Sequence, residues 1–100
     1  MMTTKINVRV PAVPDIGFAI RLYYGNIEIR SKDIRALFGG IGGSRVTQLK
    51  KLAKARMDER GIPNFDASAV HTATAYESWG LNIKDLEYRY AKLKKYREEA

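Results

Sequence analysis

The spacing of apolar and polar positions changes several times along the chain, and each change predicts a different element. Ile6, Val8 and Val10 alternate with Asn7 and Arg9, the two-residue period of a half-buried strand, which Pro11 and Pro14 then end. From Asp15 the apolar residues Ile16, Ala19, Ile20 and Tyr23 recur at helical spacing, and Gly25-Asn26 supplies a stop. A first helix is therefore expected over 15–24, with a strand over 18–24 as the rival.

Ser31 precedes Lys32-Asp33-Ile34 and is expected to cap a short helix running to about Phe38, with Asp33 well placed in its first turn. Ile34, Leu37 and Phe38 form its apolar stripe. Four of the next five residues, Gly39-Gly40-Ile41-Gly42-Gly43, are glycine and break it. Ser44 is then expected to cap a longer helix that lasts to Asp58 or Glu59, where Gly61 and Pro63 end it. Val46, Leu49, Ala53 and Met57 share one face of that helix, and Ser44, Thr47, Gln48 and Lys51 share the opposite one.

Asn64 to Val70 is expected to hold a turn or a small wing strand. Thr72 or Asp66 caps a helix ending at Trp79, with Gly80 after it, and Asn82 caps a last helix over about 83–97. In that helix Ile83, Leu86, Tyr90 and Leu93 repeat at spacings of three and four. Two heptads are too few for a coiled coil, so this stripe is expected to pack on the domain itself or on a second copy in a homodimer.

Composition narrows the class. One hundred residues with 45% apolar content suit a single domain over 1–100 with one modest core. The sequence contains no cysteine, which removes disulfides and thiolate metal sites and fits a reducing compartment. No apolar run is long enough for a signal peptide or a membrane span, so a cytoplasmic location is expected.

Charge changes the picture more. Residues 30–56 carry eight basic groups (Arg30, Lys32, Arg35, Arg45, Lys50, Lys51, Lys54, Arg56) against Asp33 alone, a balance equal to the +7 of the whole chain. For a lone lysine run a solvated helix face is the ordinary explanation. Here the run coincides with an amphipathic helix whose wet face also offers hydroxyls and an amide, a combination suited to phosphates and base edges.

These residues resemble the helix-turn-helix, the two-helix DNA-binding unit of many bacterial and phage regulators. Ile34 and Phe38 match its buried pair in the first helix, Gly39 its turn glycine, Ile41 its apolar turn position, and Val46 and Leu49 its second-helix core. Gly40 lengthens the turn by one residue relative to the commonest form. The resemblance covers residues 31–58, about a quarter of the chain. The small size and the Trp79 to Ile83 junction also resemble small phage or mobile-element proteins of Gram-positive bacteria.

What the resemblance implies is a mainly α fold with a small β element, a winged or extended helix-turn-helix followed by a C-terminal amphipathic helix. Its second helix would enter the major groove of duplex DNA. Ser44, Thr47, Gln48 and Lys51 would then contact bases, while Ser31, Lys32, Arg45, Lys50 and Lys54 would contact phosphates. The role implied is transcriptional regulation or an accessory function in a phage or mobile element. Two other classes remain open: an RNA-binding or ribosome-associated basic protein, and a protein-protein adaptor working through the 83–97 helix.

Other chemistry is poorly supported. The glycines lack the following Lys-Ser or Lys-Thr of a P-loop, and Arg45 stands where a dinucleotide fingerprint needs glycine. His71 is the sole histidine and has no carboxylate at ligand spacing, so it reads as a surface or capping residue rather than a metal ligand or acid-base group. Tyr23, Tyr24, Tyr76, Tyr88, Tyr90 and Tyr96 could stack on single-stranded bases, although core and interface packing is the commoner use; Trp79 reads as a core anchor. No enzyme activity, cofactor, metal or small-molecule ligand is expected.

Overall fold

Asp15 starts the first helix: its carboxylate accepts the Phe18 N–H at 3.0 Å, satisfying an amide that has no partner in the first turn. The computed structural model describes residues 10–64 and 66–99, and within them the order is α1 (Ile16–Gly25), β1 (Glu28–Arg30), α2 (Ser31–Leu37), α3 (Gly43–Glu59), β2 (Ala69–His71), α4 (Thr72–Ser78) and α5 (Ile83–Glu99). The fold is mainly α with a small β element, as expected. Of the strand expected over 6–10, residues 6–9 lie outside the described residues, and Val10 has no regular structure. The first helix forms where expected, and the rival strand over 18–24 does not.

The two strands pair antiparallel, with Glu28 opposite His71, Ile29 opposite Val70 and Arg30 opposite Ala69. Ile29 and Val70 are fully buried at the centre of this ribbon. The pairing joins the segment before α2 to the segment after α3, so it closes a frame around those two helices. The strand anticipated between Asn64 and Val70 thus falls at its far end, and its partner, β1, carries too short a pattern to be read from sequence.

Three caps differ from expectation. Helix α2 begins at Ser31 itself, with Arg30 in the cap position, and Asp33 accepts the Arg30 N–H at 3.0 Å. The Ser31 hydroxyl instead accepts from the Lys50 ammonium at 3.2 Å. Helix α3 begins at Gly43 with Gly42 as its cap, because Gly42 already holds the extended backbone that a cap requires. Ser44 lies inside the first turn and makes no capping bond. Helix α4 is capped by neither Thr72 nor Asp66 but by His71, whose Nδ1 accepts the Thr74 N–H at 3.4 Å. Asn82 caps α5 as expected, its side-chain oxygen accepting the Asp85 N–H at 3.0 Å.

The core lies between α3 and the rest. Val46, Leu49, Ala53 and Met57 are all buried, and they meet Ile34, Leu37 and Phe38 of α2 and Ala75, Tyr76 and Trp79 at α4. Each large aliphatic side chain so removed from water contributes about 1.5–3 kcal/mol. Tyr76 donates its hydroxyl to the Ala19 carbonyl at 2.7 Å, which ties α4 to α1 across the core. Burial raises the pKa of this phenol well above its ordinary value.

Candidate nucleic-acid interface

The turn between α2 and α3 is built by backbone hydrogen bonds. Gly40 N–H reaches the Arg35 carbonyl at 2.8 Å and Gly39 N–H the Ala36 carbonyl at 3.1 Å, a Schellman closure of α2. Gly39 (φ +80°) and Gly40 (φ +88°) both lie in the left-handed region, so the residue that lengthens the turn also supplies the second half of this closure. A Cβ on Gly39 would stand 3.0 Å from Pro14 Cγ, so the turn is also pressed against the segment preceding α1. Ile41 then drops its side chain onto the core and sets the start of α3.

Because its apolar face is buried, α3 turns Ser44, Thr47, Gln48 and Lys51 outward together, and all four are exposed. Ser44 and Lys51 are seven positions apart, about 10 Å along a helix axis. Thr47 donates its hydroxyl to the Gly43 carbonyl at 3.0 Å, leaving its oxygen as an acceptor. Gly42 has no side chain with which to cap α3, and among the described residues no other side chain bonds its first amides, so these and the positive end of its dipole stay open.

The cations around this face divide into two groups. Lys32, Arg35, Arg45 and Lys51 are exposed and make no ion pair among the described residues. Nothing in the local sequence around Arg35 marks it as a contact residue. Its Nη2 would lie 3.6 Å from a Cβ on Gly43, which places the guanidinium beside the start of α3.

Lys50 and Lys54 belong to the second group. Lys50 donates to the Ser68 carbonyl at 2.9 Å as well as to Ser31, and Lys54 donates to the Ala67 carbonyl at 2.6 Å. Both are half-buried on the flank of α3 that faces the 66–68 loop. Burial, followed by the charge of Lys54, lowers the pKa of Lys50 from its ordinary value. Arg30 reinforces the same loop through an ion pair with Asp66 at 2.5 Å and a hydrogen bond to the Ser68 hydroxyl at 2.6 Å. The hydroxyl and amide of Ser68, bonded to Asp66, hold the Asp66 carboxyl below its ordinary range.

Comparison with known protein families, curated proteins and solved structures found no match for this chain.

At the far end of α3, Arg56 and Arg60 both bind Glu77, which clamps the C-terminal end of α3 to α4. The stripe on α5 is used within the chain. Leu86 is buried in the core, Ile83 packs against it, and Tyr90 and Leu93 are half-buried along α1. Gly17 permits that approach, since a Cβ there would lie 3.1 Å from Tyr90 Cε1. Among the described residues no cluster of histidine and carboxylate groups could hold a metal ion, and no helix is long and apolar enough to cross a membrane.

Proposed function

We propose that this protein binds double-stranded DNA and reads its sequence with α3 in the major groove, without catalysing a reaction. The observation that carries this reading is the outward set Ser44, Thr47, Gln48 and Lys51 on a helix held rigidly by its opposite face. Placed in the groove, the roughly 10 Å between Ser44 and Lys51 covers about three base pairs. Gln48 suits adenine and Lys51 suits guanine; Thr47 offers an acceptor to an amino group and a methyl to thymine.

The unpaired cations Lys32, Arg35 and Arg45, together with the open amides at the start of α3, suit the phosphates that border those bases. Lys50 and Lys54 serve this reading differently from Lys32 and Arg45. They hold the 66–68 loop beside α3, and Ser31 is part of that tether. Regulation of transcription, or an accessory role in a phage or mobile element, is the biological setting such a reader suits.

Selection of bound duplexes from a random pool, with structured RNA as competitor at matched salt, tests the proposal. Enrichment of a defined core of a few base pairs and weak competition by RNA are expected. Preferential binding of RNA, or no salt-dependent nucleic-acid affinity, would contradict it.

A further inference from the structure

The N-terminal end of α1 meets the C-terminal end of α5, and Pro14, just before α1, abuts the α2–α3 turn. Helix α5 runs antiparallel to α1: Tyr24 near the end of α1 donates to Glu87 at 2.8 Å, Tyr90 covers Gly17, and Leu93 and Arg97 border Val13, Pro14 and Asp15. Pro14 is the residue that touches Gly39. Pro14 thus lies between the Leu93 and Arg97 side of α5 and the glycine turn that launches α3.

The last turns of α5 carry Lys92, Lys94, Lys95 and Arg97, all exposed, and none of them pairs with an acid among residues 10–64 and 66–97. Their directions differ. At about 100° per residue, Lys94 and Arg97 share the side of Tyr90 and Leu93, which lies along α1 and Pro14, whereas Lys92 and Lys95 point to the opposite side. Lys92 accordingly lies over the Tyr88 ring, 5.1 Å from its centre. Asp15 borders the crevice beside Arg97, and its carboxylate serves the first turn of α1.

We propose that Lys94 and Arg97 form a second backbone contact for duplex DNA, on phosphates flanking the base pairs read by α3. The inference rests on the DNA-binding reading given above. It makes α5 a brace against α1 along its Ile83, Leu86 and Tyr90 side and a phosphate contact at its tip. Arg35 and Arg45 by the start of α3, and Arg97 across Pro14 from the turn, are cations that the backbone of one duplex could meet in succession.

The test compares two double variants of the full chain with equal loss of charge, Lys94→Gln with Arg97→Gln and Lys92→Gln with Lys95→Gln. Binding is measured against salt on a selected duplex carrying flanks and on the same duplex trimmed to its core. For the 94/97 variant, the salt slope on the flanked duplex should fall by about 0.9 for each phosphate no longer neutralised, and trimming should abolish the difference. The 92/95 variant should keep the slope of the unaltered protein. Thermal unfolding at an unchanged temperature shows that each variant is folded, and lysine in place of Arg97 should restore the slope.

Equal losses in the two variants, an unchanged slope for 94/97, or an equal loss on the trimmed duplex would overturn the second backbone contact while leaving base reading by α3 intact. Failure of the unaltered protein to bind duplex DNA would overturn both.

Discussion

The indole of Trp79 donates its N–H to the carbonyl of Leu49, at 2.9 Å, in the middle of α3. Both residues are buried, so the bond fixes the outward-facing helix to the end of α4 at a point that water does not reach. Phe38, at the end of α2, packs edge-on against the same indole with ring centres 5.5 Å apart. One side chain therefore sets the relation between the two helices of the candidate interface and the layer beneath them.

Trp79→Phe keeps most of the apolar volume but removes the donor. A loss of about 1–3 kcal/mol is expected from the missing hydrogen bond and the small cavity. Urea unfolding should show a lower midpoint with an unchanged m value.

Gly39→Ala forces a Cβ into the left-handed region and against Pro14. This should destabilise the protein by about 1–2 kcal/mol, read as a melting temperature lower by about 4–8 °C per kcal/mol. Gly25→Ala is the contrasting case, because Gly25 ends α1 at ordinary φ and a Cβ there meets nothing within 4 Å. It should leave stability unchanged or raise it by up to about 1 kcal/mol.

Asp66→Ala removes the acceptor of the Ser68 amide and the partner of Arg30. Hydrogen exchange at the Ser68 amide should quicken, with α3 itself unaffected. The pH dependence follows from the same carboxyl. Its pKa in the folded protein is depressed below the ordinary 3.8, so its support for the loop is complete above the ordinary value and fades as pH falls through the depressed one. Exchange at Ser68 in the unaltered protein should therefore quicken only in acid, beyond the intrinsic pH trend, and in the Asp66→Ala variant that added acid response should vanish.

Gln48→Ala and Lys51→Ala should each weaken binding to a selected duplex by about 1–3 kcal/mol, while binding to random DNA changes much less. Equal weakening on both kinds of DNA, measured at one salt concentration, would count against base reading.

Much of the fold was legible because helices announce themselves locally. The face Val46, Leu49, Ala53, Met57 needs only the 3.6-residue period, and the breaks at Gly39, Gly61 and Gly80 need only the backbone freedom of glycine, which all three use at positive φ. Caps were less legible. A hydroxyl at the right spacing marks a candidate, yet at Ser31 and Ser44 the cap position falls one or two residues earlier, on Arg30 and Gly42, whose backbones are already extended.

The sequence by itself determined the helical period, the turn, the outward set on α3 and the concentration of charge over 30–56, because each depends on residues a few positions apart. Only the tertiary structure decided which cations are free. Lys50 and Lys54 look like Lys51 in sequence, but the β1–β2 pairing carries the Ala67 and Ser68 carbonyls within their reach and leaves Lys51 in solvent. Tertiary structure also decided the surroundings of Arg97, more than fifty residues from Gly39 in sequence. Arg97 comes to Pro14, the neighbour of that turn, because α5 packs back along α1, a long-range packing that no local pattern encodes.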